Sequence, residues 1–511
     1  MVTRRQTMFG LAGLIAAPAV ITDAIGKETA QPFSWEGLQA RALQLSRQPW
    51  RAPKVGSALL DKMTYDALAK ITYRDNKTLW REYEDTSGVR FFPLSMYARR
   101  PVDIFVIEKG KARRFSYSPS LFQAPHDHPL TKLGAAGGFS GFRLMNKGNI
   151  GDWLAFQGAS YFRSAGPLHQ YGLSARGIAI DTGLSKTEEF PEFTEFWLER
   201  SPEGIVTVYA LLDGPSVTGA YRFVNRQGTD EMTQDISAVI HLRDAVERLG
   251  IAPQTSMFWY GEGNLNPKRD WTKKDWRPEI HDSDGLAIRT GAGERIWRPV
   301  NNPMRPQVNS FSDTSLQGFG LMQRDRHFDH YQDDAVFYEK RPNLWTEPQG
   351  DWGAGAVMLY EIPTTSEYED NIVAFWTPRA PASAGARFAH DYRLRWTGGE
   401  PEALSVARIV NCWTGQGGLP GRPHRENAGK IVVDFEGERF SGLDYRSPVE
   451  PAVNISNGVL LNSGCYPVAG QKNYWRLILD IERNDAEPAD VRAFLRFKND
   501  AITETLLYQL F

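Results

Sequence analysis

The run Ile205-Val-Thr-Val-Tyr-Ala-Leu-Leu212 decides the fold. It is apolar, rich in β-branched residues, and too short for a typical helix. The same grammar recurs in Val102-Asp-Ile-Phe-Val-Ile107, Phe193-Thr-Glu-Phe-Trp-Leu198 and Ile236-Ser-Ala-Val-Ile240. Many of these runs are bounded by Gly, Pro, Asn and Asp, the residues of tight turns. Strands of this length without long helices between them predict an all-β chain of antiparallel sheets packed as a sandwich. Only Trp35 to Tyr73 has mixed helical spacing, through Leu38, Ala42, Leu43, Leu45, Leu59, Leu60 and Met63.

Outward from this core, the pattern breaks at Pro378-Arg-Ala-Pro-Ala-Ser-Ala-Gly-Ala386, which has the composition of a linker. Beyond it, Tyr392-Arg-Leu-Arg-Trp396, Ile431-Val-Val-Asp-Phe435 and Tyr474-Trp-Arg-Leu-Ile-Leu479 resume the strand pattern at a spacing that fits a small immunoglobulin-like sandwich. The expected division is therefore a large β-sandwich domain over 31–379, a linker over 380–386 and a small domain over 387–511. Residues 1–30 read as an address. Arg4 and Arg5 precede an apolar run from Phe9 to Ile21, with Ala16, Ala17 and Ala19 near its end, which is the grammar of a twin-arginine export signal.

A chain of 511 residues predicts two or three domains. The net charge of -2 gives no basic footprint for nucleic acid and no polybasic membrane patch. Aromatic residues make up 12%, with 15 Trp and 19 Tyr; their faces suit the C–H faces of sugar rings, and they also suit β-sheet cores. Cys412 and Cys465 are the two cysteines, too few for a disulfide framework or a four-cysteine zinc site, and either a pair or two free thiols fits.

No G-x-S-x-G elbow, H-E-x-x-H pair or Walker A loop occurs. Gly415-Gln-Gly-Gly-Leu-Pro-Gly421 lacks the context of a dinucleotide loop and reads as an irregular loop. Asp282-Ser-Asp284-Gly resembles only the start of a calcium loop. No cofactor and no metal are expected. The chemistry-bearing candidates are acids at strand ends: Arg277-Pro-Glu-Ile-His-Asp-Ser-Asp-Gly-Leu286 and Ser366-Glu-Tyr-Glu-Asp-Asn-Ile-Val-Ala-Phe-Trp376. Crowded, buried carboxyls hold their protons longer, as the general acid of glycoside cleavage must. Turns carrying solvated or capping acids have the same composition.

Long words in these stretches and elsewhere resemble the OpgG/OpgD (MdoG/MdoD) family of periplasmic proteins of osmoregulated glucan biosynthesis. They include Gly158-Ala-Ser-Tyr-Phe-Arg163, Tyr171-Gly-Leu-Ser-Ala-Arg-Gly177, Thr218-Gly-Ala-Tyr-Arg-Phe223, Arg277 through Leu286, Gln317-Gly-Phe-Gly-Leu321 and Asp370-Asn-Ile-Val-Ala-Phe-Trp-Thr-Pro378. The resemblance covers nearly all of 31–380 and more loosely the rest, and the twin-arginine start is closer to OpgD-type members. It implies a large galactose-mutarotase-like β-sandwich followed by a small immunoglobulin-like one. It also implies a cleft for β-1,2-glucan, with inverting endo-glucanase or ring-closing transglycosylase activity. By position in the family words, Asp370 is the expected general acid and Asp282 the expected general base. Tyr338, His281, Arg341, Trp345 and Glu369 are expected to contact substrate. A non-catalytic glucan-binding factor that presents chains to the membrane glucan synthase would use the same cleft. Nothing in the sequence fixes the oligomeric state.

Overall fold

A computed structural model describes residues 30–510, apart from 54–55, 84–86, 265–274, 419–420, 422–424, 426 and 485–486. The expected export signal over 1–30 lies, but for its last residue, outside the described residues. The chain is all-β. Among the described residues its strands form one sixteen-stranded sheet, one ten-stranded sheet and a four-stranded sheet, with two small ribbons.

The run quoted first is the strand Val206–Asp213. Val206, Val208, Ala210 and Leu212 are almost fully buried and point into the main core, between the two large sheets. This strand pairs antiparallel with Glu192–Arg200 on one side and Val217–Gln227 on the other. The expected helical region is a helix over Trp35–Ser46, capped by Ser34, whose hydroxyl accepts from the Gly37 N–H at 3.0 Å. It lays Leu38 and Ala42 over Trp197, Leu211 and Ala220 on the back of the sixteen-stranded sheet. The outer face of the ten-stranded sheet is therefore left for the site.

The division of the chain needs one correction. Arg387–Thr397, expected to open the small domain, lies inside the large sheet between Glu231–Leu242 and Asn343–Gln349. Tyr392, Leu394 and Trp396 enter the main core. The stretch over 380–386 is a connection within the large unit, tied down by Val246 N–H to Ala382 C=O at 2.9 Å and Leu242 N–H to Ala386 C=O at 3.0 Å. Its Pro, Ala, Ser and Gly mark irregular backbone, and irregular backbone is as common within a domain as between domains.

The C-terminal unit begins at the strand Arg408–Gln416. Its two layers are the sheet of Arg408–Gln416, Ala428–Glu436, Tyr474–Arg483 and Gly458–Pro467, and the strands Val449–Ser456, Ala489–Phe497 and Thr505–Leu510. The last strand pairs in parallel with Arg295–Pro299, so the second layer continues the sixteen-stranded sheet. Buried Arg324 pins the junction. It grips Glu504 through both terminal nitrogens, at 2.7 and 2.9 Å, and lies 3.8 Å over the Trp297 ring. Cys412 and Cys465 are both free. They lie in one cross-strand row with Val433 and Leu477 between them. Three strand spacings separate them by roughly 14 Å, well beyond disulfide reach.

Candidate active site

The site begins at the bend Ser256–Phe258, where Leu249–Ser256 of the ten-stranded sheet runs into the short strand Phe258–Tyr260. Both sequence-predicted acid stretches attach to this bend. From one side, Asp282 donates its N–H to the Met257 carbonyl at 2.8 Å, and the Ser283 hydroxyl meets that of Ser256 at 2.8 Å. From the other side, Asn371 donates its backbone N–H to the Ser256 carbonyl at 3.0 Å. The Asn371 carboxamide accepts from the Phe258 N–H at 2.8 Å and donates to the Phe258 carbonyl at 2.9 Å. Acids far apart in sequence are thus fixed to one short piece of backbone.

Asp282 is 8% exposed. Burial raises its carboxyl above the ordinary range, while Arg341, His281 and Arg163 pull it back. Arg341 lies with its Nε 3.4 Å from the Asp282 Oδ1, and its terminal nitrogen donates to the Tyr171 carbonyl. Gly172 permits this approach, since a Cβ there would stand 3.0 Å from Arg341 side-chain carbons. Asp370 reaches solvent at the mouth of the cleft. Desolvation by the crowding walls, and then the negative charge of Asp282, push its carboxyl up to about 6 against the pull of Arg176 and Arg163. These arginines come from the outer face of the ten-stranded sheet. In Tyr161–Ser164, Phe162 and Ser164 face the core, and Tyr161 and Arg163 face the cleft. Arg176 stands opposite Tyr161 on the next strand, 4.8 Å over its ring.

A second group of contacts holds the acid-bearing turn. Arg277 donates to Glu367 at 2.9 and 3.2 Å, to Asp333 at 2.7 Å and to Asp275 at 2.8 Å. Tyr338, 3% exposed, donates its hydroxyl to the same Glu367 at 2.6 Å. The ring of Tyr338 lies 5.0 Å beneath the Arg341 guanidinium, which links this group back to Asp282.

Asp370, Asp282, Tyr338 and Arg341 thus come together. The other expected site residues lie differently. His281 is 1% exposed, with its ring held by Gln323 at 2.9 Å and Glu279 at 3.0 Å, so it stands behind Asp282. Burial alone would lower its pKa, but the bond and charge of Glu279, with Asp284 and Asp325 beyond, raise it to about 9. Trp345 is 1% exposed and packs with Ala287, Trp297 and Met322 against the C-terminal unit, away from the cleft. Glu369 is exposed and accepts from the Thr364 hydroxyl at 3.0 Å, a turn contact. Glu279, Asp325 and His330 bring potential metal-ligating atoms within 4.8 Å of one another. These groups are already engaged: Glu279 with His281, and Asp325 with His330 at 2.6 Å.

Sequence reasoning left Asn371, Arg277, Arg163 and Arg176 without roles, although all four stand inside the quoted words. For Arg277 and Asn371 the signal available was a cation or amide within each acid stretch; Arg163 and Arg176 stand far from both in sequence.

The family profile described as "Periplasmic glucan biosynthesis protein, MdoG" matches residues 33–510. The chain belongs to this family. Glucans biosynthesis protein D 2 of Ralstonia nicotianae is 42% identical, over 100% of this chain and 98% of its own length. A probable glucans biosynthesis protein D of Shewanella oneidensis is 44% identical, over 95% of this chain and 91% of its own. Among solved structures, a galactose mutarotase related enzyme from Lactobacillus acidophilus is 8% identical, covers 52% of this chain and 97% of its own, and has a TM-score of 0.22. At that score the likeness carries no argument. Membership of the MdoG family makes glucan the polymer to be fitted to the cleft, and the relatives that match it nearly end to end bear the D-type name.

Proposed function

We propose that this protein is a periplasmic enzyme that cleaves or transfers β-1,2-glucan by inverting acid–base chemistry, with Asp370 as general acid and Asp282 as general base. The observation that carries the reading is the attachment of both acid stretches to the one bend Ser256–Phe258, through Asp282 N–H to the Met257 carbonyl and Asn371 N–H to the Ser256 carbonyl. This sets the two carboxyls near enough for the charge of Asp282 to raise that of Asp370, in the direction a general acid needs.

Asp370 gives its proton to the glycosidic oxygen as the C–O bond breaks. A water attacks the anomeric carbon from the opposite face, and its proton passes to Asp282. With a sugar hydroxyl in place of that water, the same arrangement transfers the chain instead of hydrolysing it. Burial raises the Asp282 carboxyl; Arg341, His281 and Arg163 oppose that rise, toward the ionised form a base requires. The twin-arginine start fits export of the folded protein, and a membrane glucan synthase fits as the source of the chain.

The test is mass spectrometry of the products formed from linear β-1,2-glucan, with Asp370→Asn alongside. Shorter linear chains carrying one added water per cut mean hydrolysis. Chains of lower mass by one water and without new reducing ends mean ring closure. Asp370→Asn is expected to lose about 10²–10⁴-fold in rate while still binding glucan. Wild type that binds glucan and leaves it unchanged sinks the enzymatic reading and leaves a binding factor.

A further inference from the structure

We propose that the glucan-binding track continues beyond the acid pair, over Tyr161, into a separate cavity at the end of the ten-stranded sheet, where the turn Gly158–Ser160 meets the strand Glu192–Arg200, and that it holds further sugar residues of the chain there. This rests on the glucan reading of the acid cleft. The cavity has a volume of about 320 Å³ and is lined by Met96, Tyr97, Arg100, Gln157, Tyr161 and Glu192 among others. That size is at the lower end of cavities built for small organic ligands.

Continuity comes from Tyr161. Arg176 lies 4.8 Å over its ring and donates to the Thr255 hydroxyl at 2.8 Å, and Thr255 stands opposite Val373, three residues after Asp370. The same Tyr161 lines the cavity. It stands where the turn Gly158–Ser160, which lines the cavity through Gly158 and Ala159, leads into the strand that carries Arg163.

The chemistry of the lining selects a neutral sugar over an ion. Tyr97 is 69% exposed and Met96 37% exposed, an apolar surface left open by the fold. Buried Phe193 and Phe196 also line the cavity. An aromatic ring and a thioether side by side suit the C–H face of a hexose. The charged groups cancel. Arg100 donates to Glu192 at 2.6 Å, and Arg99 donates to Asp61. Paired in this way they offer fixed donors and acceptors to hydroxyl groups without attracting an anion. Gln157, whose Nε2 is fixed by the Ser140 hydroxyl at 2.8 Å, places a third polar group on the wall.

The consequence is length dependence. A chain long enough to pass Tyr161 gains the Tyr97 contact, and a short oligosaccharide that fills only the acid cleft does not. The experiment compares Tyr97→Ala, Tyr97→Phe and wild type on long β-1,2-glucan and on the shortest oligosaccharide that wild type cleaves. Expected for Tyr97→Ala is a several-fold rise in KM for the long chain and less than a twofold change for the short one, with kcat held. Tyr97→Phe, which keeps the ring, restores the long-chain KM. Equal changes on both lengths, or none on either, overturn the inference. If wild type binds glucan without cleaving it, the enzymatic reading fails, and Kd for long glucan and for the shortest oligosaccharide that wild type binds decides the track by the same criterion. Wild type that neither cleaves nor binds either glucan sinks both.

Discussion

The side chain of Asn371 takes up both backbone polar groups of Phe258, accepting from its N–H at 2.8 Å and donating to its C=O at 2.9 Å. A carboxamide has a donor and an acceptor side by side, so it can substitute for a missing neighbouring strand. Here it does so one residue after Asp370 and one residue after Met257, the carbonyl that holds Asp282. The relative placement of the two acids passes through this pair of bonds. Asn371→Ala leaves two buried backbone groups without partners, at a cost of about 1–3 kcal/mol each. It is expected to lower the melting temperature and to cost about 10²-fold in kcat, the effect of a roughly 1 Å misplacement. Kinetics and thermal melts on one preparation check this; an unstable variant with wild-type kcat would show that Asn371 holds the fold and not the acids.

On the proposed mechanism, Arg163 bears on the pH range of the site. It lowers the pKa of both Asp370 and Asp282 by its positive charge. Removing that charge lets both carboxyls hold their protons to higher pH. On the proposed mechanism the reaction needs Asp370 protonated, which is lost as pH rises through about 6 in the wild type, and Asp282 ionised, which is lost as pH falls. Arg163→Ala should therefore move both limbs of the kcat/KM profile to higher pH. A profile that only drops in height would assign Arg163 to binding alone.

Much of the fold was legible because its strands alternate or run apolar between turn residues, as Val206–Asp213 does. The boundary at 387 was misread because composition reports irregular backbone and not which sheet the next strand joins. Trp345 was misread for a related reason. Asn343–Trp345 is buried on both faces, since the C-terminal unit covers the side that would otherwise be open, and a sequence does not show which distant segment covers a tryptophan. Asp282 and Asp370 were singled out through the words that carry the family resemblance, and their stretches meet at one bend. Asn371 was not, because an asparagine before a strand reads as a turn residue until the backbone it binds is in place.

Trp345 gives the next expectation. Burial at 1% against the joint core makes Trp345→Ala a cavity mutation, with an expected loss of about 3–5 kcal/mol. Its KM for glucan should stay within twofold at a temperature where the variant remains folded. A selective rise in KM with unchanged stability would return Trp345 to the cleft.

Stability should fall with rising pH through two groups near the junction, half-buried Glu262 and buried His281. Burial, reinforced by Glu279, Asp325 and Asp284, raises Glu262 from 4.5 to about 8, although the Cys412 N–H opposes this. Against the effect of burial, Glu279 raises His281 from 6.5 to about 9. Both bind protons more tightly folded than unfolded. Their stabilisation is complete below the unfolded values and is lost as pH rises through about 8 for Glu262 and about 9 for His281. Glu262→Gln removes the first part. The variant should lose less stability than wild type between about pH 5 and pH 8 in thermal melts. Parallel curves would mean that Glu262 is ionised in the folded protein.

Arg277 is the residue through which the acid-bearing turn is held, and the claim can be separated from simple destabilisation. Its guanidinium spans Glu367, Asp333 and Asp275 at once, which a planar fork does and a single ammonium does not. Arg277→Lys should therefore release Glu367, loosen the turn over Ser366–Asp370 and lower kcat about tenfold or more, with KM less affected. If Arg277 acts through Glu367, then Glu367→Gln causes the same defect, and the double variant is hardly worse than either single one. Groups that work as one unit are non-additive in this way, whereas independent losses multiply. Multiplying losses would mean that Arg277 and Glu367 serve the site separately, with Glu367 acting through the Tyr338 hydroxyl that it accepts at 2.6 Å.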